Sequence, residues 1–245
     1  MSPALAPAPR SRSAARRPTG RGTAARAATY TVDAVLFTVV DGDLAVALAR
    51  ADVRPGERPR ERWTLPWAGG TADEPLQAAA AAIATHVLGA QPAWMEQVGA
   101  FGDGRRHPSP APLSVAYVGL VPAGSAPEGD DAAIEFFGVN DLPAVPPRQR
   151  AMIDAAAAHV RARVGQAPVA FRLLPPTFTL SQLQELYELL LGRRLHKASF
   201  RRSLQAARIV EPTEVWRSEG RGRPAQLFRY APKKRRPAVR GLRFD

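Results

Sequence analysis

Lys197, Ser199, Arg201 and Arg202 crowd into a stretch whose apolar residues, Phe200, Leu204 and Ala207, recur at helical spacing. On a helix, arginine offers a two-pronged donor that matches guanine, and lysine or serine can hold phosphate oxygens. That is the chemistry of a helix lying in a DNA major groove. Further on, Arg221-Gly222-Arg223-Pro224 carries two guanidinium groups on a backbone with little bulk between them. Such a segment fits a narrow minor groove, where the negative potential is deepest. Thr179 and Ser181 complete the candidate DNA-binding set, as hydroxyls at the start of the preceding amphipathic segment. The plainer reading of the same residues is a solvated basic face on a small helical domain.

The elements that must position these residues are legible around them. Leu183, Leu186, Tyr187 and Leu190 form one stripe of a helix capped by Thr179 or Ser181 and closed by Gly192. A second helix is expected from about Lys197 to Ala207. Two short strands follow, Val215 to Arg217 and Leu227 to Tyr230, joined by the Gly- and Arg-rich tip. Helix, turn, basic helix and basic-tipped hairpin together read as a winged helix-turn-helix, with a double-stranded DNA operator as its partner.

Charge separates this unit from the rest of the 245-residue chain. The formal net charge is +12, distributed as +6 over residues 1–28, −5 over 29–169, +6 over 170–230 and +5 over 231–245. An acidic middle between basic ends sets apart a portion that does not bind nucleic acid. Apart from Met1 and Leu5, residues 1–28 are Ala, Pro, Arg, Ser, Gly and Thr, without an aromatic side chain, and read as a disordered basic arm. Residues 232–245, including Lys233-Lys234-Arg235-Arg236, read as a basic tail. With no cysteine, disulfides and thiolate metal sites are excluded. No apolar run reaches the length of a membrane span and no apolar core follows Arg16-Arg17, so a cytoplasmic, nucleoid-associated protein is expected.

The middle, residues 29–167, alternates strands and helices. Thr31 to Val40, a turn at Asp41-Gly42-Asp43, and Leu44 to Leu48 read as a hairpin. A polar loop from Arg54 to Arg62 leads to Trp63-Thr64-Leu65-Pro66-Trp67-Ala68-Gly69-Gly70. An alanine-dominated helix then begins near Glu74 or Pro75 and ends at Gly89. Strands are expected around Met95–Phe101, Leu113–Val121 and Phe136–Gly138, then a helix over Arg148–Val164, with the junction to the DNA-binding part at Gln166-Ala167-Pro168.

This order, with its W-x-L-P and glycines ahead of a helix that ends in Gly, resembles a Nudix domain. The family's box runs Gly, five residues, Glu, seven residues, Arg-Glu, an aliphatic, any residue, Glu-Glu, any residue, Gly, an aliphatic. Anchored on Gly89, Ala68 replaces the first glycine, Glu74 supplies the first glutamate, and the heart of the box falls on Ala82-Ile83-Ala84-Thr85-His86-Val87. In the family those carboxylates hold the Mg²⁺ that polarises phosphate and helps activate water. Here no catalytic residue, metal site or cofactor is expected, and His86 reads as a helix-surface residue.

The two halves together resemble the NrtR family of Nudix-related transcriptional regulators of NAD metabolism. Gln97-Val98-Gly99-Ala100-Phe101-Gly102-Asp103, Leu113-Ser114-Val115-Ala116-Tyr117, Phe178 to Gln184, Phe200-Arg201-Arg202 and Gly220-Arg221-Gly222-Arg223-Pro224-Ala225 carry the likeness. It implies an α/β fold, a Nudix-like α/β/α sandwich with a mixed sheet, followed by a small winged helix at residues 168–231. It further implies a homodimer on a palindromic operator, releasing DNA when a nucleotide such as ADP-ribose binds the Nudix-like domain. Trp63, Leu65, Phe101 and Asp103 occupy the family-like positions for that ligand. Trp67-Ala68 departs from the family's Gly-Gly. The alternatives are a Nudix-type nucleotide diphosphate hydrolase carrying a DNA-binding domain, and a Nudix remnant that serves only as a dimerisation scaffold.

Overall fold

The computed structural model describes residues 29–51, 62–123, 133–164, 168–218 and 224–231. The N-terminal arm, most of the 54–62 loop, Gln166 and Ala167 of the junction, Arg221 and Arg223 of the wing tip, and the C-terminal tail lie outside the described residues.

A seven-stranded mixed sheet forms the first part of the molecule. Its main path runs β3 (Trp63–Thr64), β2 (Asp43–Arg50), β1 (Tyr30–Val40), β6 (Leu113–Leu120), β5 (Trp94–Phe101). β4 (Trp67–Gly69) pairs with the start of β1, and β7 (Ile134–Gly138) pairs with β2. β1 and β6 are parallel and the other pairs antiparallel. Asp41 and Gly42 both have positive φ, 50° and 86°, as a two-residue hairpin loop matched to strand twist requires.

The period-2 pattern of β1 and β2 divides the core into two faces. Val35, Phe37, Val46 and Leu48 pack against α2 (Pro147–Val164) through Met152, Ile153, Ala156 and Val160. Val32, Ala34, Leu36 and Ala47 face the alanines of α1 (Leu76–Leu88), whose Ala79, Ala80 and Ala84 are buried. Alanine lets that helix lie close to the sheet, and Gly89 ends it at φ 69°. The result is the expected α/β/α sandwich.

The second part begins with a 3-10 turn at Val169–Arg172, followed by α3 (Leu180–Leu191), α4 (Lys197–Ala207) and a hairpin of β8 (Val210–Arg217) and β9 (Ala225–Tyr230). Phe178 exchanges both backbone hydrogen bonds with Phe228, at 3.0 and 2.8 Å, tying the start of this part to the hairpin. β8 is longer than its aromatic segment suggests, because Val210 to Pro212 pair with Phe228 to Tyr230. One hydrophobic cluster runs from Val35 and Phe37 through Met152 and Val164 to Phe171, Leu183, Tyr187 and Phe200. The two parts therefore share a core rather than hang on a bare linker.

Candidate DNA interface and sensor core

The helix-turn-helix is fixed at both ends of α3. Thr179 is its N-cap: the hydroxyl accepts from the Gln182 backbone N–H at 3.1 Å, and the Gln182 side chain accepts from the Thr179 N–H at 2.9 Å. Thr179 is buried and its hydroxyl is committed to the cap, whereas Ser181 is exposed on the first turn. Gly192, at φ 66°, stops the helix. The turn to α4 closes on Glu188, whose carboxylate accepts from Gln184 and the Leu195 N–H, both at 2.9 Å, and from Arg194 at 3.0 Å. The Gln184 hydrogen bond, then that of Leu195, holds the Glu188 carboxyl below its ordinary value of 4.5.

A carboxylate with a lowered folded pKa contributes stability above its unfolded pKa and loses it as pH falls through the folded value. Glu188→Gln should therefore be less stable than the parent chain near neutrality. The difference, read by urea denaturation, should shrink once the pH drops below about 4.5. A gap independent of pH would mean that the turn does not depend on the carboxylate.

Phe200 and Leu204 bury the inner face of α4, with the Phe200 ring edge-on to Tyr187 at 5.6 Å. At 100° per residue, Ala198, Arg202 and Ala206 then stand on the opposite, outermost face, and all three are exposed. Arg202 also donates to Ser199 Oγ at 3.4 Å. Two exposed alanines beside an arginine leave a low surface that can approach base edges and thymine methyls. Arg201, Gln205 and Arg208, spaced i, i+4, i+7, turn instead toward the hairpin. There they line a groove of about 530 Å³ with Glu211, Pro212, Gln226 and Phe228. Lys197 is exposed on the first turn. Arg208 and Gln226 escaped sequence reading, since only the packing of the hairpin beside α4 brings them to this groove.

The sheet domain carries a buried polar cluster that sequence reading also missed. Asp33 on β1 has no exposed side-chain surface, nor does His107. His107 Nδ1 accepts from the Ser109 N–H at 2.9 Å, which leaves its proton on Nε2 to donate to Asp33 Oδ1, also at 2.9 Å. Gln149 Nε2 donates to the same Oδ1 at 2.8 Å, and Thr31 donates to Oδ2 at 2.8 Å. Gln149 Oε1 also accepts from the Leu65 N–H at 2.9 Å, and Arg148 donates to the Ala111 carbonyl at 2.9 Å. The first turn of α2 thus grips both the W-x-L-P segment and the 102–112 loop. The far end of α2 packs into the core that α3 shares.

The four ligand candidates occupy different settings in the sheet domain. Trp63 stands edge-on to Phe137 at 4.8 Å, with the Arg50 guanidinium 5.5 Å above its ring. Leu65 is wholly buried, so its side chain is packing and only its backbone is engaged, by Gln149. Phe101 is half-buried at the end of β5, and Asp103 is exposed, paired with Arg105 at 3.1 Å. Trp67, half-exposed, sets its indole edge-on to His107 at 5.3 Å, covering the polar cluster. His86 is exposed on α1, as expected. Among the described residues, no three His, Asp or Glu side chains converge as metal ligands.

Comparison with known proteins bears on both parts. Residues 170–230 match the NrtR DNA-binding winged helix domain. The fold matches the crystal structure of Shewanella oneidensis NrtR complexed with a 27mer DNA at a TM-score of 0.71 and 26% identity, covering 88% of this chain and 97% of that one. Over most of its length the chain is similar to NrtR. A relative, the ADPR responsive transcriptional repressor NtrR of Acinetobacter baylyi, is 29% identical over 212 residues, 82% of this chain and 81% of the relative. A MutT/nudix family protein from Enterococcus faecalis shares the fold at a TM-score of 0.64 and 17% identity, over 84% of this chain and 88% of that one. No helix among the described residues is long and apolar enough to cross a membrane.

Proposed function

We propose that this chain is a sequence-specific transcriptional repressor whose Nudix-fold domain senses a nucleotide, ADP-ribose or a close relative, and thereby controls genes of NAD or cofactor metabolism. The observation that carries the proposal is an NrtR winged helix sharing one hydrophobic core with a Nudix-fold sheet domain. Support comes from the Acinetobacter relative, named as ADPR responsive, and the Shewanella relative crystallised on DNA. The domain limits follow the charge boundaries: a sensor over 29–167 and a DNA-binding unit over 168–231, acting on the nucleoid in the cytoplasm.

The sensor reads its ligand without hydrolysing it. At the positions of the three core Nudix glutamates stand Ile83, His86 and Val87, side chains with no oxygen to offer a hard cation. Trp63, Phe101 and Asp103 remain the ligand-facing candidates, and Ser181, Lys197, Ser199, Arg201, Arg202, Arg221 and Arg223 the DNA-facing ones. The chain works as a homodimer on a palindromic site, so that two wings and two α4 helices reach successive turns of the duplex.

ADP-ribose at a hundred times its Kd should stabilise the folded chain by about 2.7 kcal/mol, readable as a raised Tm. Prolonged incubation with ADP-ribose and Mg²⁺ should give no product. Mg²⁺-dependent turnover would instead identify a nucleotide diphosphate hydrolase carrying a DNA-binding domain.

A further inference from the structure

The wing presents a large apolar side chain that neither the core nor the sensor uses. Trp216 is 55% exposed. An indole left so open is costly in water unless a partner covers it. Its direction is set by the hairpin. Trp216 pairs with Gln226 and Pro212 with Phe228, and paired residues of an antiparallel ladder share a face. Gln226, Pro212 and Phe228 all line the groove against α4, so Trp216 extends that face toward the wing tip.

A built irregularity holds it there. Four β8 steps from Pro212 to Trp216 oppose two β9 steps from Phe228 to Gln226, a bulge that bends the strand and re-aims its side chains. Thr213 fastens the bulge: its hydroxyl donates to the Leu227 carbonyl at 2.9 Å, and its carbonyl accepts from Gln226 Nε2 at 3.2 Å. Without the bulge, the strand would carry its tryptophan at another register.

We propose that Trp216 is a DNA contact, its indole packing on the deoxyribose of the strand that runs between α4 and the wing. This rests on the DNA-binding reading of the winged helix. When α4 lies in the major groove and the wing reaches the adjacent minor groove, the phosphodiester backbone between them must cross the groove lined by Arg201, Arg208, Gln205 and Gln226. The arginines supply charge for phosphates. Glu211, the one carboxylate among the described lining residues, is paired with Arg229 at 3.4 Å. Beyond Gln226, toward the minor-groove side, a sugar presents carbon surface, and the exposed indole is the group that matches it.

The test uses the full chain and a fluorescein-labelled duplex of random sequence, with Kd measured by anisotropy across a salt series. Trp216→Ala should weaken binding about tenfold at each salt concentration while leaving the slope of log K against log salt unchanged, because no phosphate contact is lost. Trp216→Phe should recover most of the affinity, and Arg201→Ala should flatten the slope. Circular dichroism and light scattering accompany each variant. Wild-type affinity in a folded Trp216→Ala protein would overturn the proposal while leaving DNA binding itself intact. So would weakened binding accompanied by a fall in mass, which would make Trp216 a contact between two copies of the chain.

Discussion

Asp33→Ala should lower the unfolding free energy by about 3–5 kcal/mol, the range for removing one partner of a buried polar network. The substitution deletes the acceptor shared by His107 and Gln149, at 2.9 and 2.8 Å, and the acceptor of the Thr31 hydroxyl. All four side chains are shut away from water, so the orphaned donors cannot hydrate without opening the sheet. Asp33→Asn should lose much less. An amide oxygen can still accept from His107 and Gln149, while its NH₂ donates to Thr31, whose hydroxyl then turns to Ser114, 2.7 Å away. Urea denaturation of the two variants reads the difference directly. Equal, small losses would mean that the cluster contributes little to the stability of the sheet domain.

The outward face of α4 supplies the second large effect. Arg202→Ala should weaken operator binding by about 1–3 kcal/mol and relax sequence preference, since a base-reading arginine carries discrimination. Arg201→Ala should weaken operator and random duplex alike and lower the salt slope by about 1, as expected of a phosphate contact. The contrast follows from geometry. Arg202 stands opposite the buried Phe200 and Leu204, whereas Arg201 lines the groove beside the wing. Competition titrations with unlabelled random DNA separate the two behaviours. The reverse assignment would mean that α4 enters the duplex rotated by about one residue.

Much of the architecture is legible because its signals are local. Thr179 with Gln182, Gly192, Gly89 and the Asp41-Gly42 pair each announce a boundary through the conformation that only such residues adopt cheaply. The near-continuous apolar runs of β1 and β2 likewise mark strands covered on both faces. What escapes is non-local. Asp33, His107 and Gln149 are separated by 74 and 116 residues from the partners they meet. On a strand that is otherwise mostly apolar, a single aspartate gives no sign of the histidine it will find. The early half of β8 is obscured by Glu211 and Pro212, poor strand residues that nevertheless pair with β9, where Phe178 bridges to Phe228 as well. Leu65 reads as a ligand position by resemblance, yet side-chain burial follows from packing that no motif displays. Trp216 can be counted in the sequence, but its direction depends on a bulge that becomes visible only in the paired hairpin.

The most direct measurement is a gel shift of the full chain on its own upstream region, at physiological salt and over excess random DNA, with and without ADP-ribose. Salt must be fixed because a chain of net charge +12 will hold any duplex at low ionic strength. The account predicts a discrete complex that survives the competitor and dissolves as ADP-ribose is added. Binding that never discriminates against random DNA, or a specific complex unmoved by saturating ADP-ribose, would contradict it.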